Sequence, residues 1–366
     1  MDVATVPRRV QQPGNPGYQR PLESGRAPAP TAPAQRPPVR RARSRSPVAR
    51  EDRWALDLDA WETSDSGRFN WRGLLHRFFR VAVRPGKGEI YLRWLRDRAG
   101  RPVGCAFPVA VLNLKGGVGK TTVVEALGST FADVRNGGVI AVDLDSGDLA
   151  ERHGRRHRVN MVDILADGSI TRYLDERATA YKNGSGLDVL GLPDYAPSEW
   201  RIEHDDFVKA FSALKKHYSV VLVDCVKSMK STVMKAVLLE SRALVIVSDA
   251  SVDALKKTRV TLNWLRDNGY QRLLESTVLA VNHIDRRRTN ASVSTELGQL
   301  VGRVACVVML PFDRHLRDGT QVTLEQMSRK SRLRYLELAA VLGDMSSGAA
   351  LQRDHPAEIG ANPLSV

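Results

Sequence analysis

The chain of 366 residues has room for one large domain with appendages, and its net charge of +14 lies mostly at the front. Residues 1–50 net +8, residues 51–104 net +3 and residues 105–366 only +3, so the charge does not mark the larger part as a nucleic-acid-binding domain. Three widely spaced cysteines argue against a disulfide framework or a Cys-x-x-Cys metal site, and no apolar run is long enough for a transmembrane segment, so we expect a cytoplasmic protein.

The first fifty residues hold ten of the eighteen prolines and almost no large apolar side chains. Such a segment buries too little surface to offset the entropy of ordering, which predicts a disordered Pro/Arg-rich tail. A docking tail for a partner and a plain solvated linker explain this composition equally well.

Residues 51–104 form a second segment, which holds four of the six tryptophans. Between residues 70 and 83 apolar side chains recur at helical spacing, with arginines mostly off that stripe, so we expect a basic amphipathic helix. Packing on the following domain or binding a protein partner is favoured, because such stripes usually face a protein core. Peripheral contact of residues 68–83 with an anionic membrane at the inner face of the cell stays an alternative.

From residue 105 to residue 345, short β-branched runs alternate with helical stretches. The predicted strands are 109–114, 139–143, 187–192, 220–224, 244–248, 278–282 and 305–310. The predicted helices include 207–216, 231–239, 254–266 and 324–342. Strands that are apolar throughout indicate an α/β domain with a mostly parallel sheet and helices on both faces. Residues 346–366 are expected to be a flexible tail.

A glycine-rich segment follows the first predicted strand and opens into a helical stretch; it reads Lys115-Gly116-Gly117-Val118-Gly119-Lys120-Thr121-Thr122. A strand, a glycine-rich turn and a helix N-terminus form a nest of N–H groups that binds polyphosphate, and glycines allow its close approach. Lys120 can neutralise the β- and γ-phosphates, Thr121 can ligate Mg²⁺, and Thr122 can reach the α-phosphate. The generic phosphate loop has glycine at position 114, whereas this chain has Leu114 and then a second lysine, Lys115.

Acidic residues end two of the following strands, where ligands bind in parallel sheets. Asp143 and Asp145 end the strand at 139–143 and can orient water and a Mg²⁺ shell. Asp224 follows four apolar residues and is expected to hold Mg²⁺ through water rather than only to cap the next helix.

Together these motifs resemble the deviant Walker A ATPases of the ParA/MinD group. Asn282, at the end of a strand, looks like the adenine-contacting asparagine of that group, and Pro311 with Asp313 resembles its late loop near the base. The Pro-rich front and residues 263–271 are similar, more narrowly, to the EspI-like proteins of actinobacterial type VII (ESX) secretion.

The resemblance implies a P-loop NTPase fold, with ATP and Mg²⁺ as cofactors and a homodimer that forms on ATP binding. Lys115 would reach the partner's phosphates, and Asp145 would position the attacking water. The secretion machinery would be contacted through residues 1–104. The family usually carries glycine and proline after the second aspartate, whereas residues 224–230 of this chain contain no glycine, so slow hydrolysis is expected.

Two other functions stay open. A chromosome- or plasmid-partitioning ATPase would bind DNA non-specifically through the basic runs at residues 256–257, 286–288 and 329–332. The near-neutral charge of residues 105–366 speaks against DNA. A nucleotide-gated scaffold with little turnover would also explain the glycine-free segment after Asp224.

Overall fold

A computed structural model describes residues 88–145, 148–153, 160–161, 165, 182–191, 202–285 and 291–347. The predicted Pro/Arg-rich tail, the amphipathic helix expected near residues 70–83 and the tail beyond residue 347 lie outside the described residues, as does the basic run at 286–288.

The described residues alternate between strands and helices. In chain order they form α1 (Gly88–Ala99), β1 (Phe107–Leu112), α2 (Lys120–Arg135), β2 (Val139–Asp143), α3 (Asp148–Arg152), β3 (Asp188–Leu190), α4 (His204–Leu214), β4 (Val220–Asp224), α5 (Thr232–Glu240), β5 (Ala243–Asp249), α6 (Val252–Asp267), α7 (Gln271–Glu275), β6 (Thr277–Asn282), α8 (Ala291–Val301), β7 (Cys306–Leu310), α9 (Arg314–Arg317) and α10 (Arg329–Ser346).

The strands form one seven-stranded sheet in the order β3-β2-β4-β1-β5-β6-β7. Every pairing between neighbours is parallel, so the carboxyl ends of the strands lie at one edge. The side chains of β1 alternate between two hydrophobic clusters: Val109 and Val111 face one, and Ala110 and Leu112 face the other. Helices α1, α2 and α10 cover the first face, whereas α4, α5, α6 and α8 cover the second. The predicted α/β fold is confirmed.

All seven predicted strands are present; β1 is displaced by two residues, and β3 ends two residues before its predicted end. The prediction began β1 with the apolar run at residue 109, whereas the strand begins at Phe107 and includes Pro108. The pairing of β1 with β5 begins at Val109, one residue after Pro108. The N–H that proline lacks is therefore not needed for a hydrogen bond to β5. The carbonyl of Pro108 still accepts from the N–H of Arg242, 2.9 Å away.

The last helix, α10, begins at Arg329, five residues after the predicted start. The hydroxyl of Ser328 caps it by accepting from the N–H of Ser331. The preceding residues Val322, Leu324 and Met327 are buried but come from an irregular segment, so their apolar character reflects packing rather than helix. Among the described residues, no helix is long and apolar enough to cross a bilayer.

Helix α1 packs on α10 and belongs to the same core. The buried Arg98 of α1 forms an ion pair with the buried Asp344 of α10, and Arg101 contacts the same carboxylate at 2.7 Å. The helices approach so closely that a Cβ on Gly343 would lie 2.2 Å from the carbonyl oxygen of Arg98. The folded core therefore includes residues that precede the domain start predicted at residue 105.

Candidate functional site

The carboxyl edge of the sheet gathers polar side chains from four strands, two on each side of β1. In the strand register Asp143 of β2 lies opposite Asp224 of β4, and Asp249 of β5 lies opposite Asn282 of β6. The glycine-rich loop leaves β1 between β4 and β5, so it lies in the middle of this row. The parallel topology thus brings residues that are far apart in sequence into one site.

The loop has the geometry of an anion cradle. Gly117 and Gly119 have φ values of 78° and 85°, which side chains with a Cβ rarely adopt. A Cβ built on Gly116 or Gly117 would meet no atom within 4 Å, so this side of the loop is open. Helix α2 begins directly afterwards, and no side chain caps its N-terminus. Its first N–H groups are therefore available to an anion.

Asn282 fastens the loop to the end of β6. Its side-chain N–H donates to the carbonyl of Val118 at 2.9 Å. A Cβ on Gly119 would lie 2.5 Å from the same nitrogen, which is a second reason for glycine at this position. Sequence reasoning assigned Asn282 to adenine and missed this bond to the loop; adenine contact stays a prediction.

Lys120 links the loop to two of the predicted acids. Its ammonium pairs with Asp224 and lies 3.2 Å from Asp145. Burial lowers the pKa of Lys120, but the charge and hydrogen bond of Asp224, together with Asp145, outweigh it and leave the pKa raised. Lys120 is therefore charged where phosphate is expected.

Asp224 is fully buried, and burial raises its pKa even though Lys120 and a hydrogen bond from Thr121 act in the opposite direction. Its Oδ2 has no hydrogen-bond partner among the described residues. An orphaned, buried carboxylate oxygen next to a threonine hydroxyl offers two oxygen ligands of the kind Mg²⁺ prefers. These residues fit the Mg²⁺ ion that the sequence resemblance implies.

Asp143 also supports the local backbone. Its Oδ1 accepts from the N–H of Asp145 at 3.1 Å, and its Oδ2 accepts from Leu149 at 2.9 Å and Ala150 at 3.4 Å. Burial and the neighbouring Asp224 raise the pKa of Asp143 to about 6. Asp143 thus holds the backbone of Asp145 and of the first turn of α3 in place. The sequence analysis predicted only a Mg²⁺ role for Asp143.

No group of three or more His, Cys, Asp or Glu residues suited to a metal ion occurs within the described part of the chain.

Lys115 points back to its own subunit in this structure. Its ammonium lies 2.8 Å from Asp249 Oδ2, 3.1 Å from the hydroxyl of Ser251 and 3.8 Å from Asp253. Asp249 ends β5 and is only 4% exposed. Ser248 separates it from the apolar run of the strand, whereas Asp224 follows its run directly, so the signal that identified Asp224 is interrupted at Asp249.

The late loop follows β7 at the same edge, since Leu310 lies opposite Asn282. Pro311 comes next, and the Asp313 carboxylate accepts from the N–H groups of His315 and Leu316 and, at 2.8 Å, from that of Ser328. Burial acts to raise the pKa of Asp313, but these bonds and Ser331 leave it lowered. Asp313 therefore holds the two ends of its loop together.

Comparisons with known proteins support this description. A family model described as an AAA domain matches residues 108–267. The ESX-1 secretion-associated protein EspI of Mycobacterium tuberculosis is 34% identical over 278 residues, which cover 75% of this chain and 42% of EspI. The chain therefore spans less than half the length of this relative. A putative replication protein A of Sinorhizobium fredii is 25% identical over 168 residues, 40% of each chain.

A solved structure shares the fold. The crystal structure of a ParA family ATPase from Chlorobium tepidum TLS aligns with a TM-score of 0.50 at 20% identity, over 68% of this chain and 98% of that one. The arrangement of strands and helices is thus found in a known protein. The chain is therefore similar to EspI over three quarters of its own length, and it has the fold of a ParA family ATPase.

Proposed function

We propose that this chain is a switch that binds ATP, dimerises on it and hydrolyses it slowly, in the service of a type VII (ESX) secretion system. The observation that carries the proposal is the buried Lys120, which joins Asp145 and Asp224 beneath the open glycine loop. A charged lysine and two acids at a helix N-terminus suit a nucleoside triphosphate with Mg²⁺.

Each residue has a role in this proposal. The loop N–H groups and Lys120 bind the β- and γ-phosphates, while Thr121 and Asp224 hold Mg²⁺, with Asp143 at its water shell. Bound Mg²⁺ would neutralise charge on the phosphates. Asp145 orients the water for in-line attack on the γ-phosphate, so positioning supplies most of the catalysis.

Hydrolysis is tested by measuring phosphate release with saturating ATP and Mg²⁺. Lys120→Ala and Asp145→Ala should lower the rate at least tenfold. Lys216→Ala, which removes an exposed lysine two residues after the end of α4, should leave the rate unchanged. Equal rates in all four proteins would remove the enzyme claim. Nucleotide binding without measurable turnover would leave the gated scaffold instead.

Dimerisation is tested by sedimentation velocity with ADP and with a non-hydrolysable ATP analogue. The proposal expects a dimer only with the analogue, and Lys115→Ala should prevent it, because this lysine is the group proposed to reach the partner's phosphates. A dimer of equal strength in every nucleotide state would contradict a switch.

The assignment to secretion rests on the similarity to EspI, whose name associates that protein with ESX-1 secretion. We propose that residues 1–104 contact the secretion machinery and that the protein is cytoplasmic, with peripheral contact at the membrane. Deleting the gene should abolish export of type VII substrates. The full chain should restore export, and a chain lacking residues 1–87 should not.

A partitioning function is the second candidate, favoured by three arginines that lie close together on α6 and beyond α8. Burial, and then the charges of Arg266 and Arg259, lower the pKa of Arg303. Arg259 and Arg266 pair with Glu296 and Asp267 in this structure, so binding the phosphates of DNA would require them to leave these acids. Co-sedimentation of the protein with non-specific duplex DNA at moderate salt tests this function. ATP-dependent binding that Arg303→Ala weakens would support a partitioning function, and the absence of binding would exclude it.

A further inference from the structure

The segment after Asp224 is held at both ends despite its lack of glycine. The N–H of Cys225 donates to the carbonyl of Val111 at 3.1 Å, and the Met229 side chain is buried in the core. Ser231 then caps α5 by accepting from the N–H of Met234. Between these anchors the Lys227 side chain is 61% exposed. Its backbone is therefore positioned by the fold while its ammonium remains at the solvent side of the site.

Lys227 and Lys120 share one carboxylate oxygen. The ammonium of Lys227 lies 4.0 Å from Asp145 Oδ2, and that of Lys120 lies 3.2 Å from the same atom. The two nitrogens can thus be no further apart than the sum of these distances. Lys227 is consequently a second cation beside the phosphate loop, contributed by a segment that the loop motif does not include.

The contact with Asp145 is too weak to hold Lys227 permanently. Pairs this exposed contribute little to stability, since water screens them and the long side chain loses entropy. A bound triphosphate presents several negative charges, and charge-assisted hydrogen bonds to phosphate are stronger than this pair. The lysine can therefore move from Asp145 to phosphate at little energetic cost.

We propose that Lys227 contacts the terminal phosphate of bound ATP and makes the site favour nucleoside triphosphate over diphosphate. The inference rests on the proposed function, in which Asp145 orients the water that attacks the γ-phosphate. A cation attached to that carboxylate lies at the end of the phosphate chain where the γ-phosphate is present in ATP and missing in ADP. The γ-phosphate would then order the segment after Asp224, as it orders switch segments in other phosphate-loop proteins.

The test is isothermal titration of the full chain with the Mg²⁺ complexes of AMP-PNP and of ADP. Lys227→Ala should weaken AMP-PNP binding about tenfold and change ADP binding less than twofold, and Lys227→Arg should restore most of the lost affinity. Lys230→Ala is the matched control, because it removes an exposed lysine three residues away in the same segment. It should change neither affinity.

Several results would overturn the inference. If Lys227→Ala weakened the binding of AMP-PNP and of ADP equally, Lys227 would only attract negative charge in general. If its affinities matched those of Lys230→Ala, the Lys227 side chain would simply be solvated. Unchanged affinities with faster hydrolysis would mean that Lys227 only restrains Asp145. Failure of the unmodified chain to bind either nucleotide would refute the proposed function itself, whereas the other results leave that function intact. Circular dichroism spectra and melting curves verify that each variant is folded.

Discussion

The ion pair between Lys115 and Asp249 should contribute measurably to the stability of the nucleotide-free chain. The two charged atoms are 2.8 Å apart, and the side chains are 26% and 6% exposed. Fully exposed pairs contribute about 0.2–1 kcal/mol, while breaking a fully buried pair costs about 3–5 kcal/mol. This pair lies between those cases, so we expect a coupling energy of about 1–2 kcal/mol.

A double-mutant cycle measures this coupling. Lys115→Ala, Asp249→Asn and the double variant are unfolded with urea in the absence of nucleotide and Mg²⁺, and tryptophan fluorescence reports the transition. Lys256→Ala serves as the control, because Lys256 is exposed on α6 and outside the pair. A coupling energy below about 0.5 kcal/mol would refute the reasoning, since Lys115 would then be held no better than a solvated lysine.

The same pair should oppose dimerisation if Lys115 must leave Asp249 to reach a partner's phosphate. Asp249→Asn removes the competing charge from both chains of the dimer, and each release of about 1.4 kcal/mol corresponds to a tenfold change in the equilibrium constant. We therefore expect the ATP-dependent dimer of this variant to form at about a hundredfold lower protein concentration in analytical ultracentrifugation. An unchanged or weaker dimer would show that the contact with Asp249 does not compete with assembly.

Three further predictions concern stability and thiol reactivity. Gly343→Ala should lower the free energy of unfolding by about 2–4 kcal/mol, because the new Cβ would meet the backbone of Arg98 and force α1 away from α10. A urea titration measures this change, and a loss below about 0.5 kcal/mol would contradict the close packing of the two helices. The pKa of Asp313 is lowered in the folded protein. Ionised Asp313 therefore stabilises the fold at any pH above 3.8, the ordinary pKa of the group, and this stabilisation is lost as the pH falls below that value. Asp313→Asn should therefore flatten acid unfolding followed by circular dichroism, and a curve of unchanged slope would count against the assignment. When the native protein is treated with a maleimide at pH 8, mass spectrometry should find the label on the exposed Cys105 alone. Cys225 and Cys306 should not react, because burial raises the pKa of both thiols to about 12, and rapid labelling of all three thiols would contradict that burial.

Much of the fold could be predicted from the sequence because its elements are local. The seven apolar runs are buried on both faces, and such strands carry a strong signal in their composition. Boundaries failed where tertiary packing decided them, at Pro108 in β1 and before Ser328 at α10. Helix α1 was not predicted, since its stability depends on a distant partner, the Asp344 end of α10.

The site shows the same division. Lys115–Thr122 and the strand-end acids could be found from sequence because phosphate and Mg²⁺ need those residue types at strand ends. The partners of these residues could not be found, because they come from strands that are neighbours only in the folded sheet. The register of β1, β5 and β6 brings Asp249 to Lys115 and Asn282 to the loop carbonyl of Val118.

The sequence by itself determined the α/β class, the phosphate loop and the acids around it, since each of them can be recognised from a short run of residues. Only the tertiary structure decided which charged side chains form ion pairs. It paired Lys120 with Asp224, held Lys115 in its own subunit and brought Lys227 to Asp145. The physical reason is that a parallel sheet joins strand ends that the chain separates by many residues, and electrostatic interactions depend on distance in space.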